Sequence, residues 1–298
     1  MIQLLVAMSG QGTGFQKAGY HEPKPLISVS GVPMIERLLR NFPLEWEAIF
    51  VMAENHRLSA LPGLLSRLRP NGKQLFIAPH KMGPSFAVLE ALRANFLDTQ
   101  RPVLVSYCDY AMVWDPAQFE RFLGDTDCDA AVVSYRGFHA HYLDPRTYAY
   151  SRLEGERVVE VREKASFTEN RENEYASSGG YFFKSGELLR RAIEYQASQG
   201  LSLNGELYTS LTVQALLKMQ PQSHVRVFEI PGFFQWGTPE ALKDYEYWAR
   251  TFSAYNKSPG CAGVVDQLLV PMAGSGTRFR AVTSYPKPLV PVFGRPMF

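Results

Sequence analysis

The opening of the chain recurs near its end, and this repeat constrains the domain organisation more than any other feature. Residues 3–35 read QLLVAMSGQGTGFQKAGYHEPKPLISVSGVPMI, residues 267–298 read QLLVPMAGSGTRFRAVTSYPKPLVPVFGRPMF, and with one gap 17 of 32 aligned positions are identical. Such self-similarity indicates a repeated structural unit. Since the second copy is too short to bury a core, we predict a complete domain over 1–252, a linker over 253–264 and the truncated start of a second domain over 265–298. In the alternative arrangement, residues 265–298 dock on the first domain as an extra strand or loop.

Strand-like and helix-like segments alternate through the first half of the chain. Helical patterns separate five short apolar runs, which predict strands at Leu4–Met8, Ala48–Met52, Gln74–Ile77, Val103–Tyr107 and Ala130–Ser134. This alternation favours an α/β fold in which a mostly parallel sheet carries helices on both faces. Hairpin-like strands predict a small β-rich excursion around residues 140–183. Ligands of such sheets bind at the carboxyl ends of the strands, so functional residues are expected in the loops there.

Charge and cysteine content exclude several classes of protein. The formal net charge is +2 and no run of five Lys or Arg occurs, so no nucleic-acid partner is expected. The three cysteines lack CxxC spacing, which argues against a zinc site and against a disulfide framework. The apolar run at the N-terminus is short and has no basic residues before it, unlike a signal peptide or an anchor. We therefore expect a cytoplasmic protein without a membrane partner.

A glycine-rich loop directly follows the first predicted strand. It reads Met8-Ser9-Gly10-Gln11-Gly12-Thr13, and its glycines would let backbone N–H groups approach a phosphate closely. The loop fits neither the dinucleotide-binding fingerprint, since its third glycine is misplaced, nor Walker A, since GK[ST] is absent. Shortly afterwards, two prolines flank Lys24 and restrict its backbone. Loop and lysine together predict a phosphate site.

In combination these motifs resemble the opening signature of the sugar-phosphate nucleotidyltransferases, G-x-G-T-R-F followed by P-K-P-L and G-K/R-P-M. The second copy matches this signature in full between Gly274 and Met297. The resemblance implies a Rossmann-like fold and the transfer of a nucleotidyl group from a nucleoside triphosphate to a sugar 1-phosphate, with Mg²⁺ as cofactor. Pyrophosphate would leave, and the NDP-sugar product would feed polysaccharide biosynthesis. Whether the chain forms a homo-oligomer is left open.

The resemblance also implies roles for individual residues. Catalysis would rest on Lys24, Lys164 and the Mg²⁺-binding Asp109. The nucleotide would contact Met8, Ser9, Gly10, Gln11, Gly12, Thr13 and Gly83, the last lying against the base. The sugar would contact Glu163, Ser178, Gly179 and Gly180. Gln235 would occupy a second metal position.

Several of these residues have plainer interpretations. The segment around Gly83 would then be an ordinary helix start capped by Ser85. Asp109 would be a turn residue at the end of its strand, and Glu163–Lys164 a charged pair on a surface hairpin. Asp115 is predicted to cap the following helix.

Two positions depart from the family pattern. Gly14 stands where the second copy has Arg278, and the family's arginine would clamp the triphosphate with its planar fork. Loss of such a group commonly costs ~10²–10³ in rate, and Lys17 is a candidate substitute. Gln235 replaces a second metal-binding aspartate and would ligate without charge. The first domain is therefore expected to be either a slow enzyme or a nucleotide-binding pseudoenzyme.

Two further alternatives involve other substrates. A cytidylyltransferase acting on a non-sugar alcohol phosphate, such as phosphocholine, shares the opening signature. A glycosyltransferase with a similar nucleotide fold is disfavoured, because its members usually carry a D-x-D pair. Here Asp109 is followed by Tyr110 and Ala111.

Overall fold

A nine-stranded mixed sheet forms the centre of the structure, a computed structural model that describes residues 1–137, 139, 148–257, 291–292 and 295–296. Its strands are β1 (Gln3–Met8), β4 (Glu47–Ala53), β5 (Lys73–Ile77), β6 (Val103–Ser106), β8 (Ala130–Tyr135), β9 (Ala149–Glu154), β10 (Arg157–Glu163), β11 (Tyr175–Phe183) and β12 (Val225–Glu229). They lie in the order β5-β4-β1-β6-β11-β8-β12-β10-β9. The pairs β5–β4, β4–β1, β1–β6 and β8–β12 are parallel, whereas β11 runs antiparallel between β6 and β8. This confirms the predicted α/β fold. The pairs β12–β10 and β10–β9 are antiparallel too, so the sheet is mixed rather than mostly parallel.

Eight helices accompany the sheet in the described part of the chain. They are α1 (Thr13–Lys17), α2 (Met34–Leu39), α3 (Leu61–Leu68), α4 (Pro84–Arg93), α5 (Pro116–Thr126), α6 (Gly186–Ser198), α7 (Thr209–Met219) and α8 (Pro239–Lys257). Among the described residues, no helix combines the length and apolarity that crossing a bilayer requires.

The sheet is covered on both faces, as the continuous apolar strands predict. In β1, Leu4 and Val6 belong to one core, to which α2, α3 and α5 contribute, whereas Leu5 belongs to a second core with α4, α6 and α7. Successive side chains of a strand point to opposite faces. With a core on each face, the strand is continuously apolar from Leu4 to Met8 rather than at every second position.

The predicted β-rich excursion is part of the central sheet. Its strands β9 and β10 pair with each other, β10 also pairs with β12, and β9 also pairs with β11. Residues 138 and 140–147 of the excursion lie outside the described residues.

Two short sheets were not predicted. β2 (Ser28–Val29) and β3 (Val32–Pro33) form a small hairpin. β7 (Tyr110–Val113) pairs antiparallel with β13 (Gly232–Gln235), and this pairing brings Gln235 opposite Tyr110. Four-residue strands more than a hundred positions apart carry too little periodicity to be found in a sequence.

The chain divides into the units Met1–Thr251 and Phe252–Phe298. In the second unit, β14 (Pro291–Val292) pairs antiparallel with β15 (Arg295–Pro296). The predicted linker starts at residue 253, but α8 stays helical to Lys257, because no glycine or proline interrupts it before Pro259. The rest of the linker and most of the predicted second domain lie outside the described residues, so the tandem arrangement stays a prediction.

Candidate active site

A cleft of about 800 Å³ opens where β1 and β6 end. These strands are parallel neighbours, so the loops that follow them meet at one edge of the sheet. The cleft is lined by all the predicted nucleotide-binding residues and by Lys24 and Asp109; the full lining is Ala7, Met8, Ser9, Gly10, Gln11, Gly12, Thr13, Lys17, Lys24, Pro25, His80, Lys81, Gly83, Pro84, Tyr107, Cys108, Asp109, Glu206 and Tyr208.

The glycine-rich loop has the geometry of a phosphate cradle. Gly12 has a φ of 62°, a left-handed conformation that glycine adopts without strain, and it immediately precedes α1. A Cβ on Gly12 would lie 3.6 Å from Cβ of Lys24, so the loop passes directly over that lysine. Within the described residues, the N–H groups of Gly10, Gln11 and Gly12 donate no hydrogen bond. These N–H groups are therefore available to an anion.

Lys24 joins three segments of the cleft. It lies between Pro23 and Pro25 and begins a single 3₁₀ turn, Lys24–Leu26. Its Nζ donates to Oδ2 of Asp109 at 2.5 Å and to the carbonyl of Gly237 at 2.9 Å. Burial by itself would lower the pKa of Lys24, but the charge of Asp109 and its hydrogen bond outweigh burial and raise the pKa. The lysine therefore keeps its positive charge at neutral pH.

The two predicted metal ligands converge on one place. The backbone N–H of Trp236 donates to the carbonyl of Asp109 at 2.8 Å, which holds the end of β13 beside the start of β7. Oε1 of Gln235 and Oδ2 of Asp109 lie 3.1 Å and 3.3 Å from the place a Cβ would take on Gly237. Neither of them is part of a larger ligand cluster, since no three His, Cys, Asp or Glu side chains gather as a metal site in the described ranges. Two oxygens, one of them charged, suit Mg²⁺, which completes its shell with water and substrate phosphates.

Glu163 and Lys164 do not line the cleft, but they contact residues at the start of α7. Lys164 has a left-handed backbone (φ 54°), and its Nζ donates to the hydroxyl of Tyr208 at 2.9 Å. Oγ of Ser210 donates to Oε2 of Glu163 at 2.5 Å. Burial raises the pKa of Glu163, although Ser210 and the charge of Lys164 partly oppose the rise. Burial would lower the pKa of Lys164, but Tyr208 and nearby carboxylates outweigh it and raise that pKa. The pair is thus integrated into the fold rather than loose on a hairpin.

The residues expected to form the sugar pocket on β11 are occupied by protein contacts. Ser178 is 2% exposed, and its Oγ donates to the carbonyl of Val133 at 3.0 Å. A Cβ on Gly179 would lie 3.0 Å from the ring of Tyr107, and one on Gly180 would lie 3.2 Å from the side chain of Val133. In this conformation the small residues accommodate neighbouring side chains, and none of the three lines the cleft.

Gly83 has a packing role that the sequence did not indicate. Its φ is 83°, and a Cβ there would lie 2.6 Å from the backbone nitrogen of Leu207. Leu207 is held by two backbone hydrogen bonds, which it donates to Met82 and accepts from Ser85. The missing side chain thus lets the segment before α7 approach α4 closely. Gly83 also lines the cleft, where the resemblance assigned it to the base.

One helix cap was predicted correctly and one was not. The side chain of Asp115 accepts from the N–H of Ala117 at 2.9 Å and caps α5. Ser85 does not cap α4, since Gly83 is the cap residue and Oγ of Ser85 bonds to the hydroxyl of Thr212 at 2.9 Å. Ser85 is fully buried, so its hydroxyl satisfies a partner inside the fold.

Several cleft residues were not identified individually from the sequence. α7 begins at Thr209, and the non-helical residues before it bring Glu206 and Tyr208 into the cleft. His80, Lys81 and Tyr107 line it as well. For His80, Lys81 and Tyr107 the available signal was position, because they follow strands β5 and β6, whereas Glu206 and Tyr208 lie between α6 and α7.

An α/β sheet that holds a glycine-rich loop beside a lysine–aspartate pair is the architecture of a nucleotidyltransferase. The sequence model of the MobA-like NTP transferase domain matches residues 5–170, more than half of the chain. The chain belongs to this family of MobA-like NTP transferase domains.

Solved structures show the same fold at low sequence identity. A nucleoside-diphosphate-sugar pyrophosphorylase from Vibrio cholerae RC9 superposes with a TM-score of 0.65 and 18% identity, covering 82% of this chain and 100% of its own. The inositol-1-phosphate CTP transferase from T. maritima superposes with a TM-score of 0.62 and 15% identity, covering 87% of this chain and 98% of its own. No curated protein sequence matches significantly.

Proposed function

We propose that the chain joins a nucleoside triphosphate to a sugar 1-phosphate, releasing pyrophosphate and giving an NDP-sugar for polysaccharide biosynthesis. The observation that carries the proposal is the position of Lys24, which contacts Asp109 and Gly237 and lies under the glycine-rich loop. A cation there faces the phosphates of any triphosphate held by the loop.

In this reaction an oxygen of the sugar 1-phosphate attacks the α-phosphorus, and the new O–P bond forms as the bond to pyrophosphate breaks. Protein groups contribute mainly alignment and charge neutralisation. The N–H groups of Gly10, Gln11 and Gly12 receive the triphosphate, and Lys24 neutralises its charge. Mg²⁺, held by Asp109 with Gln235, would add further neutralisation when bound.

The acceptor would enter at the opposite end of the cleft. Lys164 is positioned by Tyr208, which lines the cleft, so a small movement of its ammonium group would reach the acceptor phosphate. Glu206 supplies carboxylate oxygens for hydroxyl groups there. A lysine for the phosphate and carboxylate oxygens for hydroxyl groups would together suit a polyol phosphate as acceptor.

Activity would be limited by Gly14. This glycine lies in α1 beside the cleft, and apart from its chain neighbours no described residue places a side chain within 4 Å of the place a Cβ would take there, where the second copy carries an arginine. Lys17, at the other end of α1, does line the cleft, which supports it as a partial substitute. We propose a slow transferase; a pseudoenzyme would bind the triphosphate without turnover.

One observation favours a second acceptor class. The T. maritima neighbour of the same fold is a CTP transferase for inositol 1-phosphate. The acceptor end of this cleft carries hydroxyl and carboxylate groups, from Tyr107, Tyr208 and Glu206, that would bind a cyclitol as well as a sugar. Inositol 1-phosphate therefore belongs in the acceptor panel.

The experiment measures pyrophosphate release with MgCl₂ across ATP, GTP, CTP, UTP and dTTP, each combined with sugar 1-phosphates, inositol 1-phosphate and phosphocholine. We expect turnover with one combination, and loss of turnover in Asp109→Ala, which should keep its fold by circular dichroism but melt at a somewhat lower temperature because Lys24 loses its partner. Asp125→Ala, an exposed position on α5, is the matched control. Triphosphate binding without turnover would identify a pseudoenzyme. Absence of any triphosphate binding would overturn the assignment of the loop.

A further inference from the structure

A histidine bridges two loops of the cleft. His80 follows β5 and lies in the loop before α4, whereas Ser9 begins the glycine-rich loop after β1; both line the cleft. We infer that His80 is a positioning residue, whose hydrogen bond to Ser9 couples the glycine-rich loop to the loop before α4 so that both hold a nucleoside triphosphate together. This inference rests on the proposed nucleotide site.

Both ring nitrogens of His80 are engaged. Nε2 lies 2.8 Å from Oγ of Ser9, and the backbone N–H of Met82 donates to Nδ1 at 3.2 Å. Because Nδ1 accepts, the neutral ring carries its proton on Nε2 and donates it to Ser9. The ring also packs against Phe86 of α4, with ring centroids 4.7 Å apart in an edge-on arrangement. These contacts fix the orientation of the ring.

The bridge crosses a strand. β4 lies between β1 and β5 in the sheet, so the two loops start about 10 Å apart. Ser9 is only 3% exposed, which shields its hydroxyl from competing water. A change in either loop is therefore transmitted to the other through this contact.

A comparison of the two copies gives independent support that Ser9 is not needed by the phosphate cradle itself. In the second copy, whose signature is complete, Ala273 stands at the position of Ser9. Alanine cannot accept a hydrogen bond from a histidine. The hydroxyl of Ser9 thus serves a contact particular to the first domain.

The contact with Met82 requires a neutral ring. Protonation would place a hydrogen on Nδ1 and remove the acceptor for Met82. Burial lowers the pKa of His80, although the charge of Glu90 on α4 opposes this, so the Met82 contact persists at neutral pH and is lost as the pH falls through the lowered pKa. Nε2 remains a donor to Ser9 in both forms of the ring.

The test is a double-mutant cycle on triphosphate affinity. Dissociation constants are measured for ATP, GTP, CTP, UTP and inorganic triphosphate with the wild type, Ser9→Ala, His80→Asn and the double variant. We expect each single change to lower the affinity for the best-bound nucleoside triphosphate about three- to tenfold. The double variant should bind it no more weakly than the weaker-binding single variant does. Inorganic triphosphate reaches only the glycine-rich loop, so its affinity should fall less. Additive effects, or equal losses for both kinds of probe, would overturn the inference.

Further variants separate positioning from general stability. His80→Gln retains a donor near the position of Nε2 and should recover part of the affinity. His224→Asn, at an exposed site, should bind as the wild type does. If the wild type binds no triphosphate, the proposed function fails; if it binds and the variants bind equally, only this inference fails.

Discussion

Nζ of Lys24 lies 2.5 Å from Oδ2 of Asp109, although 85 positions separate the two residues. The contact joins the 3₁₀ turn after the glycine-rich loop to the end of β6. Each side chain is 22% exposed, so the pair is shielded from much of the solvent yet open to a ligand. The pair therefore contributes both to the stability of the fold and to the proposed chemistry.

Lys24→Met should lower both stability and turnover. The change leaves Asp109 without its cation, so we expect the free energy of unfolding to fall by about 1–3 kcal/mol. Turnover should fall by ~10²–10³, as for other preorganised charge stabilisers. Denaturant unfolding and pyrophosphate release measure the two effects. Lys73→Met is the control, because its pair with Glu47 is 45% exposed on the lysine side and should contribute under about 1 kcal/mol.

Gly14→Arg should raise turnover. Gly14 is helical, lies outside the left-handed region and has no atom within 4 Å of the place a Cβ would take, so an arginine fits. Charge develops on the leaving pyrophosphate in the transition state, so the gain of ~10² should appear in kcat. Gly63→Arg, an equally open and exposed glycine in α3, should leave turnover unchanged. A wild type that is already fast would show that the missing arginine is compensated, with Lys17 the first residue to test.

Gly83→Ala should destabilise the chain more than Gly205→Ala. Both glycines have a φ near 80°, which costs alanine about 1 kcal/mol. Only at Gly83 would the new Cβ meet backbone, at 2.6 Å from the nitrogen of Leu207, whereas Gly205 has open space. Overpacking should add about 1–3 kcal/mol at Gly83. Equal melting temperatures for the two variants would show that the contact with Leu207 is relaxed in solution.

Glu163→Gln should gain stability relative to the wild type as the pH rises. Because burial raises the pKa of Glu163, the folded state binds its proton more tightly than the unfolded state does. Wild-type stability therefore falls as the pH rises from 4.5 through the folded pKa, whereas the glutamine does not titrate. Unfolding free energies of both proteins, measured in acid and at neutral pH, give the comparison. Ser210→Ala removes a hydrogen bond to the carboxylate and should extend the fall to higher pH.

The glycine-rich loop and its lysine could be assigned from sequence because each is a local pattern. Gly10, Gly12 and Lys24 lie within fifteen residues, and the repeat at residues 267–298 shows them a second time. The strands were predictable for a similar reason, since a sheet with a core on each face requires uninterrupted apolar runs. Asp109 could be placed at the carboxyl edge of the sheet because it follows an apolar strand.

The sugar-pocket residues could not be assigned in this way. The motif Ser178-Gly179-Gly180 indicates only that little space is available, not which group fills it. In the structure Tyr107 and Val133 fill it, and both come from other strands or the loops after them. Which side chain enters a space depends on the packing of the whole sheet.

The amino-acid sequence by itself determined the α/β class, the glycine-rich loop and the candidate lysine and aspartate of this protein, because strand periodicity and loop glycines act over a few neighbouring residues. Tertiary structure alone decided which distant groups meet: Gln235 beside Asp109 through the β7–β13 pair, Leu207 against Gly83, and His80 against Ser9. Each of these contacts joins segments at least seventy residues apart. Strand order and close packing of the core determine which residues meet, and no local sequence pattern contains this information.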